Sequence, residues 1–213
     1  MKLESLIDEL TEDLTPVRPR RFWADLLVLA LIAAVELALL FALGIAHLDL
    51  ERMAAQPTMG WRLISLGVIS LLSGFLAVRS LDPAYSAKDA LRWLGVIVVL
   101  CLAYGLVMNG PPPGTASLLQ RLDWRSGIQC ASKIVLLSLP PLAALALLCR
   151  RGAPTDLRRT PLLSGLAAAA WGAFVFVFAC PFNDPLYIVV WYGIACGLVT
   201  LAARLLMPRI ARW

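Results

Sequence analysis

From Thr160 to Asn183 no residue carries a formal charge, and after Asp184 a second uncharged run extends from Pro185 to Ala203. A helix rises about 1.5 Å per residue, so roughly 20 mostly apolar residues cross the hydrocarbon core of a bilayer. Each run is therefore the length of a membrane span. The rest of the chain follows suit: 60% of its 213 residues are apolar and 15% are charged, with a mean hydropathy of +0.79. Soluble globular proteins average about 45–50% apolar and about 25% charged. So little polar surface excludes a water-soluble particle, and the hydrophobicity excludes disorder.

Six spans are expected, at about 24–46, 59–79, 91–109, 127–149, 161–181 and 185–206. The fold class is all-α: a polytopic six-helix transmembrane bundle over 22–207, with residues 1–21 before it and a short tail, 208–213, after it. The second span is the shortest, with Arg62 and Arg79 expected to snorkel at its ends. The fourth contains Pro140-Pro141, which predicts a kink. The first is too long for the apolar region of a signal peptide and has no small-residue cleavage site after it, so it reads as a retained helix.

Basic residues set the orientation. Fourteen Lys and Arg fall on the side of the N-terminal segment, the second and fourth connections and the tail, against Arg52, Arg62, Arg121 and Arg125 on the other. Both termini are therefore expected in the cytoplasm, and the net charge of +5 speaks for anionic lipid rather than direct nucleic-acid binding. Trp61, Trp93, Trp124 and Trp191 fall near span ends, where indoles favour the interface. In the fifth span Ser164, Ala168 and Gly172 recur at every fourth position, as do Gly193 and Gly197 in the sixth; such ridges permit close helix packing.

Because the connections are short, residues 1–21 are the main segment outside the bilayer. Leu3, Leu6, Ile7, Leu10 and Leu14 share one helical stripe, while Glu4, Asp8, Glu9, Glu12 and Asp13 occupy the other faces. Pro16 ends the helix. About 14 residues are marginal as an isolated helix in water, so the stripe needs a partner. The bilayer is one, although surface helices are usually basic. The bundle's own arginines are another. A basic soluble protein that takes the helix into a groove is the reading the acidic faces favour, and proteins associated with nucleic-acid polymerases carry such basic surfaces.

Five cysteines are present, Cys101, Cys130, Cys149, Cys180 and Cys196, with no C-x-x-C pair. Cys130 opens the fourth span and Cys180 closes the fifth, so both fall at the outer face, where disulfides persist. Three readings stay open for this pair: unrelated buried thiols, a structural disulfide, or a redox- or metal-responsive couple. His47 and Asp184 fall near the same level, and with Cys130 and Cys180 would suit a transient soft metal ion; no other cofactor is expected. Glu36 in the first span and Lys133 in the fourth are costly in hydrocarbon and should face the bundle interior, although their depths differ. Together with the Pro140-Pro141 break they support an alternative, a small transporter or channel. No nucleophile–base set or phosphate loop suggests an enzyme.

Cys130, the run Cys180-Pro181-Phe182-Asn183-Asp184-Pro185-Leu186-Tyr187 and the pair Trp191-Tyr192 carry a likeness. With six spans and a short N-terminal segment, the chain resembles the NrsF-type bacterial membrane anti-sigma factors over essentially its whole length. The resemblance implies that residues 1–15 hold an extracytoplasmic-function (ECF) sigma factor at the inner membrane. It also implies that Cys130 and Cys180 take part in sensing metal or oxidative stress. Cys101, Cys149 and Cys196 receive no role from it.

Overall fold

The computed structural model describes residues 21–46, 57–82, 85–108, 121–152, 156 and 158–210. Six long helices account for nearly all of them: α1 Phe22–Ala42, α2 Pro57–Arg79, α3 Ala87–Met108, α4 Trp124–Arg151, α5 Thr160–Phe176 and α6 Pro185–Ile210. Each is long and apolar enough to cross a bilayer, and no strand occurs among the described residues. Large apolar side chains point outward in rows, such as Leu27, Leu31, Val35 and Leu39 along α1. In water such a surface would aggregate; against lipid tails it is the expected exterior.

The bundle is built around α5. Its Ala167-Ala168-Ala169-Ala170 run is buried, and its small residues let neighbouring backbones approach. A Cβ added at Gly172 would lie 2.3 Å from the Ser138 Oγ and 2.8 Å from the Ile134 carbonyl oxygen of α4. One at Gly165 would lie 2.8 Å from the Thr200 Cα of α6. With α2 on its remaining side, α5 forms a four-helix core with α2, α4 and α6. The ridge at Gly193 and Gly197 does not act this way, since added Cβ atoms there would meet open space. Small-residue spacing marks a smooth face but not its neighbour.

The outer helices are attached differently. α1 lies against α4 and α2, with its longer side chains reaching α5 and the turn after it: Trp171 Nε1 donates to Glu36 Oε2 at 2.9 Å, and Phe41 meets Phe178 edge-on at 5.5 Å. α3 is pinned to α2 by Trp61, whose ring covers Gly105 and whose Nε1 donates to the Cys101 carbonyl at 2.8 Å. Trp61 is therefore a packing anchor rather than an interfacial indole, as is Trp191, which covers Gly127 and donates to the Leu122 carbonyl at 2.7 Å. Trp93 and Trp124 are exposed. The expected kink does not break α4, which runs as one helix through Pro140-Pro141.

Candidate functional site

One end of the core is closed by the turn between α5 and α6. Its local sequence explains its shape. After Phe176 the chain tightens into a short 3-10 turn, Val177–Ala179, and Cys180 then takes an extended conformation (φ −94°, ψ 117°), the region favoured for a residue that precedes proline. Asp184 restarts the helix. Its Oδ1 accepts the Leu186 N–H at 2.9 Å, and Pro185 opens α6 where no N–H is needed. Arg121 forks onto the Asp184 carboxylate with two hydrogen bonds of 2.7 Å, tying the approach to α4 to this turn. The Arg121 guanidinium holds the Asp184 carboxyl below the usual carboxylate range.

Beneath the turn, four segments converge on two sulfurs. Cys130 comes from α4 and is buried; Cys180 comes from the turn and is partly exposed. The thiols are unbonded and are neighbours in one pocket. Tyr187 of α6 donates its hydroxyl to the Cys130 Sγ at 3.3 Å and stacks on Phe182 with ring centroids 4.5 Å apart. Arg62 of α2 completes the group. Its side chain is buried, at 1% exposure, with Nη1 donating to the Phe182 carbonyl at 2.9 Å and Nη2 to the Tyr192 hydroxyl at 2.6 Å. The same guanidinium lies beside the Cys180 sulfur. The Cys180 Sγ–H donates to the same Phe182 carbonyl at 3.9 Å, so thiol and guanidinium meet at one oxygen.

Two neighbouring thiols, one near a buried cation, are equipped for reversible oxidation: a cation favours the nucleophilic thiolate, and a second thiol nearby can close the disulfide.

A family model described as "Negative regulator of sigma F" matches residues 10–213. The chain belongs to the NrsF family. A curated relative, the Anti-sigma-F factor NrsF of Caulobacter vibrioides, is 30% identical over 212 residues, covering 93% of this chain and 95% of the relative. No solved structure matches.

Within this NrsF-family chain the sequence-derived site residues are placed unevenly. Cys130 and Cys180 come together. Arg62 was expected to snorkel outward and instead turns into the bundle, because the Phe182 carbonyl, Tyr192 and Cys180 offer it partners there. It is the main residue the sequence reading missed, since a charge at a span end looks the same whether it faces headgroups or a pocket. Tyr187 and Tyr192 stand in the family-like stretch, but their contacts to sulfur and guanidinium could not be read from spacing.

The other candidates do not converge. Asp184 is engaged by Arg121 and the α6 N-terminus, and the described residues include no group of three or more His, Cys, Asp or Glu placed to hold a metal ion. His47, the fourth candidate ligand, lies outside the described residues. Lys133 was expected to face the interior but is exposed on α4. Glu36 does face inward, with Trp171 as partner of one oxygen, while its buried Oε1 has no hydrogen-bond partner. Lys133 is thus exposed while Glu36 is turned inward, so the two do not face each other. The proposed partner-binding residues Leu3, Glu4, Leu6, Ile7, Asp8, Glu9, Leu10 and Leu14 also lie outside the described residues.

Proposed function

We propose that the protein is a membrane-bound anti-sigma factor, regulatory rather than enzymatic, that holds an ECF-type sigma factor at the cytoplasmic face of the inner membrane and releases it when the Cys130–Cys180 pair is oxidised. Membership of a family described as negative regulators of sigma F supports the regulatory half. The sensing half rests on one observation: two unbonded thiols from different segments meet in a pocket that also holds a buried arginine. The distribution of Lys and Arg supports a periplasmic position for that pocket and cytoplasmic termini. Two of the four basic residues on the sparser side, Arg62 and Arg121, are already engaged inside the protein. Oxidation is favoured over metal binding, because Arg62 puts a cation in the thiol pocket and Arg121 occupies the Asp184 carboxylate.

The acidic, leucine-striped segment before α1 is the docking element, with its charge complementary to a basic partner. Release requires that the reduced and oxidised states bind the partner differently. A contiguous line of side chains supports a route between thiols and segment. Cys180 follows directly on the 3-10 turn that carries Phe178; Phe178 meets both Phe174 and Phe41 of α1; Trp171, next to Phe174, bonds Glu36 of α1. Repacking at the turn would shift α1 and the segment ahead of it.

Co-purification of the full-length protein with its sigma factor tests the proposal. Replacing Leu6, Ile7 and Leu10 together by Ser should abolish co-purification and raise the sigma factor's target transcripts constitutively. Cys130→Ser and Cys180→Ser should keep the sigma factor bound and blunt its release by peroxide. A triple variant that still binds, or cysteine variants that respond like the parent, would count against the proposal.

A further inference from the structure

The two thiols sit in unlike surroundings. Cys130 is 5% exposed on α4 and receives the Tyr187 hydroxyl. Cys180 is more open, lies in the turn rather than in a helix, and shares the Phe182 carbonyl with the Arg62 guanidinium, the sulfur at 3.9 Å and Nη1 at 2.9 Å. Arg62 is the more unusual group. It is almost fully buried, and its two terminal nitrogens bond a carbonyl and a phenol, both neutral. Its Nε has no acceptor, and no carboxylate among the described residues pairs with it. A buried guanidinium without a counter-charge is strongly unfavourable, and among the described residues beside it the most acidic group is a thiol, more acidic than the Tyr192 phenol.

We propose that Cys180 is the thiol that meets oxidant first, with Arg62 as the positioning residue that stabilises its thiolate and Cys130 as the resolving thiol. The assignment deepens the sensor reading above and rests on it for its biological meaning. With a hydroperoxide as oxidant, the Cys180 sulfur attacks one peroxide oxygen. The O–O bond breaks, the departing oxygen leaves with the electron pair and takes up a proton, and Cys180 becomes a sulfenic acid. The Cys130 sulfur then attacks the Cys180 sulfur. An S–S bond forms, the S–O bond breaks, and the hydroxyl departs as water with the Cys130 proton. Two thiols and one hydrogen peroxide give one disulfide and two waters. The product is neutral, so Arg62 loses its counter-charge as the bond closes, and α2 is driven to find it another environment.

The test uses full-length protein, reduced and reconstituted in lipid nanodiscs, exposed to hydrogen peroxide with dimedone as a trap for sulfenic acid and read by peptide mass spectrometry. In Cys130→Ser the adduct should appear on Cys180. In Cys180→Ser any adduct on Cys130 should form about tenfold more slowly or less, and the parent should give the Cys130–Cys180 disulfide. Adding Arg62→Gln to Cys130→Ser should slow Cys180 labelling by about tenfold, and Arg62→Lys, which keeps the charge but not the two-pronged hydrogen bonding, should restore part of it. Equal labelling rates for the two cysteines would overturn the order of oxidation, and unchanged labelling in Arg62→Gln would overturn the role of Arg62. If the Arg62 variants fail to fold, the two cysteine variants, which keep Arg62, still decide the order. Peroxide that labels Cys180 as expected while the sigma factor stays bound would leave this chemistry standing and remove the sensor reading. Release without any preference for Cys180 would do the reverse.

Discussion

α1 and α5 are both long apolar helices, yet they occupy opposite situations. The apolar stretch of α1 has the higher mean hydropathy, 2.5 against 2.0, but only 6% of it is buried compared with 67% for α5. In water the greasier helix would be the inner one. In a bilayer, lipid tails satisfy leucine as well as protein does, so packing selects smallness instead. α5 offers alanines and glycines that admit neighbouring backbones, whereas α1 offers bulky rows to lipid. The consequence is functional. α5 is fixed on three sides and leads into Cys180, while α1, next to the N-terminal segment, is held by a few discrete contacts. In the proposed mechanism one helix holds the sensor in place and the other is free to respond.

The comparison is broken most severely by enlarging the tight face of α5. Gly172→Val should destabilise the protein by about 2–3 kcal/mol or prevent folding, because the added carbons meet α4 backbone that cannot yield. Gly193→Val, facing open space, should stay within about 0.5 kcal/mol of the parent. Thermal unfolding of both in nanodiscs checks the pair, and equal losses would show that α5 is not the packing centre. A smaller effect is expected where α1 touches α5. Trp171→Phe removes the hydrogen bond to Glu36 and should cost about 1 kcal/mol. More tellingly, it should let the Cys130–Cys180 disulfide form while weakening the release of the sigma factor; a full response in that variant would remove this contact from the route. The smallest effect belongs to Lys133→Ala. Exposed on α4 and hydrogen-bonded to neither thiol, it should leave stability within about 0.5 kcal/mol and the oxidative response nearly unchanged.

The six spans were legible because charge is almost absent from them, and a charge in hydrocarbon is costly enough to mark boundaries on its own. The meeting of Cys130 and Cys180 was partly legible, since two antiparallel spans joined at one end bring particular positions together at the other. Orientation about each helix axis was not. Lys133, within its span, was expected to face the interior and Arg62, at a span end, to snorkel outward; the structure reverses both. Only the neighbours decide that one faces outward and the other turns into a pocket of sulfur, phenol and carbonyl. The glycine ridges divided for the same reason, with Gly172 against α4 and Gly193 against nothing. Asp184 appeared available to a metal because the fork from Arg121, 63 positions away, leaves no local trace.

The most direct test of the account is the affinity of the purified sigma factor for the full-length protein in nanodiscs, measured with the Cys130–Cys180 pair reduced and then oxidised. The account predicts binding at least about tenfold weaker after oxidation, a difference of about 1.4 kcal/mol, with no such change in Cys130→Ser. Equal affinity in the two states, with the disulfide verified by mass spectrometry, would contradict it.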